Sequence, residues 1–284
     1  MKQLRLFIPA LLVLLMGFAL AQSETLERAR EQGFIRVGFA NEAPYAYAQP
    51  NGTLTGEAVE VARAVFARLG IAEMDGVLTE FGSLIPALQA RRFDVITAGM
   101  YVTPTRCEQV AFADPEYSIG EGLLVQAGNP NALVSYEDIA ANPDLRVGTG
   151  AGWLEYDYML AVGVSEDQIV TYPDGPSGVA GLMAGRIDAF TGTGPTMTDL
   201  LAKARTDQIE VVEGFQDPII DGEVSRSYGA AAFRLEDAAF RDAYNAELQA
   251  LKDSGELAEI IAEFGFGPNE LPGDVTAAEL CSAE

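Results

Sequence analysis

The sequence predicts an α/β protein built as two lobes, each a mixed sheet with flanking helices, joined by a two-stranded hinge. Three observations predict it. Strand-like and helix-like runs alternate along the chain, as in layered folds with mainly parallel strands. One segment is echoed later: LQARRFDVITAG (88–99) and LMAGRIDAFTGT (182–193) share the frame L-x-A-x-R-x-D-x-x-T. Each reads as a helix end, a basic turn and a buried strand, so two lobes of similar build would aim strand ends at one crevice, where open α/β sheets bind ligands. Finally, YSIGEGLLV (117–125) and SRSYGAAAF (225–233) are extended and rich in small residues. They lie about a hundred residues apart, the length of an inserted domain, and two such crossings make a hinge.

Taken in order, the chain opens with Lys2 and Arg5, then the apolar run FIPALLVLLMGFAL, then Ala19-Leu20-Ala21. The apolar run is short for a membrane span, and A-x-A is a cleavage pattern. Residues 1–21 therefore read as a secretory signal cut near Ala21, with the mature chain starting near Gln22. No cysteine follows the cut to carry a lipid, which points to a free periplasmic protein. FIRVGFA (34–40) is strand-like. EAVEVARAVFARLG (57–70) places Val61, Val65, Phe66 and Leu69 on one helical stripe. GVLTEF reads as a strand, SLIPALQARR as a helix and FDVITAG as a strand. The rhythm resumes with GLLVQAG, the helix SYEDIAA and the strand RVGTG; Ser135 and Asp138 supply a helix-start signature. The expected division is 22–120 with 229–284 as the first lobe and 121–228 as the second.

Charge and composition narrow the function. The net charge is −24, which repels nucleic acid and anionic membrane. The chain has no histidine. That removes Ser-His-Asp and Cys-His catalysis and the commonest zinc ligand, and no metal or cofactor is expected. Of the two cysteines, Cys107 and Cys281, an oxidising compartment makes a disulfide; the alternative is two buried thiols.

The stretch GMYVTPTRCEQVAFADPEYSIGEGLLV resembles the cleft-and-hinge signature of the cluster-3-type solute-binding proteins of ABC importers. Those proteins read G-x-x-x-T-x-x-R followed by an F-s-x-P-Y stretch, matched here by Gly99, Thr103, Arg106, Phe112, Pro115 and Tyr117. The resemblance spans the mature chain and includes the tail GELAEIIAEFGFGP. Within the family, NEAPYAYA, TGEAVEVA, LTEFGSLIPALQARRFDVITAGMY and TRCEQVAF resemble the ectoine- and hydroxyectoine-binding subgroup. The resemblance implies a two-lobed, monomeric periplasmic binding protein that closes around a small zwitterion and delivers it to an inner-membrane ABC permease.

It also implies a site. The subgroup's aromatic cage falls on Tyr45, Phe81 and Tyr101, each at or after the end of an expected strand. Ectoine carries a delocalised amidinium cation and a carboxylate, and aromatic faces attract such a cation by about 0.5–2 kcal/mol each. Glu42 would accept hydrogen bonds from the amidinium. Arg106 occupies the family's carboxylate-binding position, where a planar fork forms two parallel bonds, with backbone N–H groups near Gly99 and Tyr101 sharing the load; the alternative for Arg106 is a surface pair with Glu108. Amino-acid-binding members carry an acid five residues after the Asp of the IDAFTGT strand. From Asp188 that count reaches Thr193, which cannot hold an ammonium group, and Asp188 itself reads as structural. Trp153 departs from the small residue or threonine usual after the glycine, and could act as lid, ligand wall or core. The second lobe's hydroxyl contact would come from Thr149, Thr191 or Thr193. Receptors for other zwitterions (betaine, proline-like solutes, cationic amino acids) are the alternative, and a dehydratase on this fold is the enzymatic one; no catalytic residue is assigned.

Overall fold

The computed structural model describes residues 23–220 and 222–283; the expected leader and its cleavage point lie outside the described residues. Two sheets dominate the two-lobed structure. In the first, Phe34–Phe39 lies between Glu73–Leu78 and Val95–Tyr101, parallel to both, and Ser227–Phe233 and Ala111–Phe112 complete the order. In the second, the order is Ile169–Tyr172, Val147–Gly150, Ala189–Thr193, Glu121–Gln126 and Ile209–Val211, the first three parallel and the last two pairs antiparallel. Parallel strands carry helices on both faces, and each sheet here has a core on either side.

In the first lobe, Val61, Val65 and Phe66 of the helix Glu57–Arg68 pack with Phe240, Tyr244 and Leu248 on one face; Leu84, Leu88, Phe93 and Ile96 fill the other. In the second, Val125, Tyr136, Ile139 and Met159 lie on one side and Leu124, Leu182, Phe190 and Met197 on the other. Each large apolar side chain so withdrawn from water contributes about 1.5–3 kcal/mol. The stripe expected on the helix Glu57–Arg68 is the buried one, and Ser135 and Asp138 form a full capping box on Tyr136–Ala140.

The crossing strands lie side by side. Tyr117–Ile119 pairs antiparallel with Ser227–Phe233, bringing Ser227 opposite Ile119 and Gly229 opposite Tyr117. The sequence reads 117–125 as one strand, but the structure breaks it at Gly120. A Cβ there would meet the Asp217 carboxylate at 2.5 Å, and that carboxylate accepts a bond from the Glu121 N–H at 2.7 Å. Past the break, Glu121–Gln126 belongs to the second sheet.

The echoed frame has a physical basis. Asp94 and Asp188 each precede the inner strand of their sheet and clamp an arginine at or near the start of the neighbouring strand. The Asp188 carboxylate accepts from the Arg146 N–H at 2.8 Å, and Asp94 accepts from the Arg36 N–H at 3.4 Å. The backbone answers in both places, Asp188 N–H to Arg146 C=O and Asp94 N–H to Arg36 C=O, at 2.8 and 2.9 Å.

Candidate functional site

The ends of Val95–Tyr101 and Ala189–Thr193 approach each other across a cleft. There they close on a small cavity of about 20 Å³ lined by Glu42, Tyr45, Phe81, Gly99, Tyr101, Arg106, Trp153, Leu154, Glu155 and Thr193. The eight residues expected at a binding site thus share one cavity.

Tyr45 is fixed by two glycines. A Cβ on Gly56 would come within 2.3 Å of the Tyr45 carbonyl oxygen, and one on Gly99 within 2.6 Å of its ring; both glycines have positive φ. The ring stacks on Tyr117 (5.1 Å between centroids) and Phe266 (5.7 Å), so the C-terminal tail backs the cavity wall. Phe81 does not end a strand as expected. The strand stops at Leu78, and Phe81 opens the single-turn helix Phe81–Ser83 leading into Leu84–Gln89. The turn swings the ring over the cleft, where it sits 5.7 Å from the Arg106 guanidinium carbon. Tyr101, expected just past a strand FDVITAG, is instead the last residue of the strand Val95–Tyr101, and it is buried.

Arg106 rides on the short helix Pro104–Cys107. Thr103 caps that helix by accepting from the Arg106 N–H, and a disulfide between Cys107 and Cys281 pins it to the C-terminal helix Ala277–Ser282. The guanidinium does not pair with Glu108. One Nη donates to the Tyr101 carbonyl at 2.8 Å and the other to the Gly152 carbonyl in the opposite lobe at 3.0 Å. Burial pulls its pKa down while Glu155 and Asp157 push it back up; an arginine stays charged throughout.

A second line of bonds crosses the cleft. Tyr45 Oη donates to Thr193 Oγ1 (2.9 Å), Thr193 Oγ1 to Thr196 Oγ1 (2.9 Å), and Thr196 Oγ1 to Glu42 Oε1 (2.8 Å). The relay starts and ends in the first lobe and passes through the start of the helix Gly194–Ala204 in the second. Such chains polarise one another in a dry interior. Glu42 keeps part of its surface open, yet protein surrounds its carboxyl group. Desolvation pushes its pKa up to about 8 against the opposing bond from Thr196. It has no ion-pair partner among the described residues. A cation brought beside it would favour the charged form.

Trp153 does two things at once. It lines the cavity and packs on Phe190 (6.0 Å between centroids) in the second lobe's core. Gly150 and Gly192 make room for it, since a Cβ on either would fall within 2.7 Å of the indole. Of the three threonines considered, only Thr193 lines the cavity. Thr191 is occupied with Tyr136 and the Gly122 carbonyl, and Thr149 is buried within its strand. Sequence reasoning missed Leu154, Glu155 and Thr196. The Thr193-x-x-Thr196 start of a Pro-containing helix turn was a legible signal for Thr196. Glu155 begins the helix Glu155–Ala161, and nothing in its local sequence betrays that its carboxyl is buried beside Glu121, where desolvation raises both.

Beside the cavity, and sharing Glu42, Phe81 and Trp153 with it, lies a wider chamber of about 220 Å³ that reaches Asp174, Asp199 and Lys203. Lys203 pairs with Asp199 at 2.7 Å and lies 5.5 Å from the Tyr47 ring in the first lobe. Among the described residues no cluster of metal-ligating side chains occurs.

Comparison with known proteins agrees with this architecture. The chain is 39% identical over 97% of its length, and 92% of the relative's, to a probable amino-acid ABC transporter periplasmic-binding protein of Sinorhizobium fredii. It superposes on the crystal structure of EhuB in complex with hydroxyectoine with a TM-score of 0.84 at 39% identity, covering 93% of this chain and all of that one. An ancestral amino-acid-binding protein, described as a precursor of cyclohexadienyl dehydratase, matches with a TM-score of 0.72 at 26% identity, covering 84% and 99%. The profile of the bacterial extracellular solute-binding proteins, family 3, matches residues 35–268. With two lobes meeting at one cleft and a matched span of this length, the chain belongs to the bacterial extracellular solute-binding proteins, family 3.

Proposed function

We propose that the chain is the periplasmic receptor of an ABC importer for ectoine or hydroxyectoine, and that the lobes 22–120 with 229–284 and 121–228 close on the solute. The observation that carries this reading is one cavity holding a guanidinium, a carboxyl group with no ion-pair partner among the described residues, and four aromatic side chains. Arg106 takes the solute's carboxylate, Glu42 its amidinium, and Tyr45, Phe81, Tyr101 and Trp153 wall the ring. Compatible solutes are excluded from ordinary protein surface, so a receptor needs cation–π faces and charge-assisted bonds that such a surface lacks. The structure of EhuB with hydroxyectoine, at 39% identity, supports the choice.

Binding energy follows from closure. Arg106 to Gly152 and Tyr45 to Thr193 form only when the lobes meet, so a solute filling the cavity prefers the shut form and shifts the population toward it. The receptor then docks on its permease as a monomer. A cationic amino acid is the second reading, favoured by the acidic groups Asp174 and Asp199 in the adjoining chamber. Against it, Thr193 offers the inner cavity no charge for an α-ammonium group, and Asp199 is already paired with Lys203. Calorimetry with ectoine, hydroxyectoine, glycine betaine, proline and arginine decides. Ectoine or hydroxyectoine should bind at least tenfold more tightly than the rest; arginine or betaine ahead by that margin overturns the assignment.

A further inference from the structure

Two tyrosines that line the cavity, Tyr45 and Tyr101, and Tyr117 packed behind Tyr45 differ in what their hydroxyl groups do. Tyr45 Oη donates to Thr193, and Tyr117 Oη donates to the Gly99 carbonyl at 2.8 Å. Tyr101 Oη has no hydrogen-bond partner, although its ring lines the cavity and the residue is only 5% exposed. A buried hydroxyl without a partner forfeits a bond it had in water. The remainder of the cavity's polar inventory is engaged or charged: Arg106 holds two carbonyls, Glu42 accepts from Thr196, and Thr193 sits inside the relay.

The neighbours of Tyr101 define the chemistry at that end. Glu121 and Glu155, on the second lobe, and Tyr45 and Tyr117 are the titratable groups acting on it. Glu155 lines the same cavity, and Glu121 Oε2 is a second buried oxygen without a partner. Ser227 Oγ reaches the other Glu121 oxygen at 3.4 Å. The cavity wall therefore holds an unused O–H donor on the first lobe and a carboxyl-bearing residue, Glu155, on the second. A hydroxyl on the solute can accept from the tyrosine O–H and donate to a carboxyl oxygen at once. An unsubstituted CH₂ there would leave the tyrosine hydroxyl stranded.

We propose that Tyr101 is the specificity-determining residue of this site, its unpaired hydroxyl selecting a ring-hydroxylated zwitterion over the same solute without the hydroxyl. This rests on the reading of the cavity as a site for ectoine-type solutes and sharpens it. Discrimination of this kind is large when a site is built to bond a hydroxyl, because the analogue lacking it leaves buried polar groups unpaired.

The test is the ratio of affinities, by calorimetry, for hydroxyectoine and ectoine on the full protein and on Tyr101→Phe, which keeps the ring. The native protein should favour hydroxyectoine, and Tyr101→Phe should shrink that ratio at least fivefold. Tyr45→Phe serves as comparison. It loses a bond between the lobes rather than one to the solute, so it should weaken both solutes by a similar factor and leave the ratio within about twofold. If Tyr101→Phe and Tyr45→Phe move the ratio equally, or native protein prefers ectoine, Tyr101 is not the selector while the ectoine assignment stands. If neither solute binds the native protein while another of the panel does, the assignment and this inference fall together.

Discussion

Arg106 has five guanidinium donors and commits two of them to carbonyl oxygens, Tyr101 on its own lobe and Gly152 on the other. Replacing it removes the cavity's cation and one bridge between lobes together. Arg106→Ala should therefore lower affinity by a hundredfold or more, and Arg106→Lys should recover only part, since a point charge cannot reproduce the fork; titration calorimetry on both variants reads this directly. Glu42 adds a pH dependence of definite sign. Its pKa near 8 comes from desolvation without a cationic partner. A bound cation favours the carboxylate, so the bound value must lie lower. Affinity should rise with pH up to about 8 and then level, and at pH 7 binding should expel a proton. Calorimetry in buffers of different ionisation enthalpy would register that proton, and Glu42→Gln should abolish the buffer dependence. The residue types for both roles were legible in the sequence, because a G-x-x-x-T-x-x-R run and an acid before two tyrosines are local patterns. The hydroxyl relay was not, since it depends on Thr193 and Thr196 meeting residues more than a hundred positions away.

Helix Pro104–Cys107 is a single turn, too short to persist on its own. It is held by the Thr103 cap and by the Cys107–Cys281 bond, which closes a span of 174 residues. Closing so long a loop is worth about 3–5 kcal/mol. Cys281→Ser should lower the melting temperature by an amount of that order. It should also weaken solute binding several-fold, because the neighbouring Arg106 loses its anchor; Cys107→Ser should match it in both readouts. An unchanged affinity would show that the cap alone positions Arg106. Sequence reasoning placed most elements, and the duplicated aspartate frame proved to be a shared clamp on a neighbouring strand. It misjudged the strand through Phe81 and the unbroken strand 117–125. In the first case the chain turns to present an aromatic ring. In the second, Asp217, distant in sequence, seizes the Glu121 N–H and ends the pairing. Both are tertiary choices that local propensity cannot contain.

Across the whole molecule, buried carboxyl groups set the response to acid. Burial raises Glu42 to about 8 and Glu116 to about 7, and pushes Glu57, Glu121 and Glu155 upward as well. A group raised on folding stabilises fully below its unfolded value, near 4.5 here, and that contribution is lost as pH rises through the folded value. The unliganded protein should thus melt at a higher temperature at pH 5 than at pH 8.5. Glu57→Gln should flatten the profile, since neither Glu57 oxygen has a hydrogen-bond partner. The net charge of −24 acts in the same direction through self-repulsion. Added salt separates the two causes, because it screens the surface and leaves the interior untouched. The threonine relay carries a last consequence. Its three hydroxyls join the halves using nothing but the polypeptide, so the vacant receptor already has reason to visit its shut form. Such visits would let cargo-free receptors occupy the transporter and drive idle nucleotide consumption. Fluorescent labels on opposite lips of the cleft should catch those excursions in plain buffer, and Thr196→Val should make them rarer.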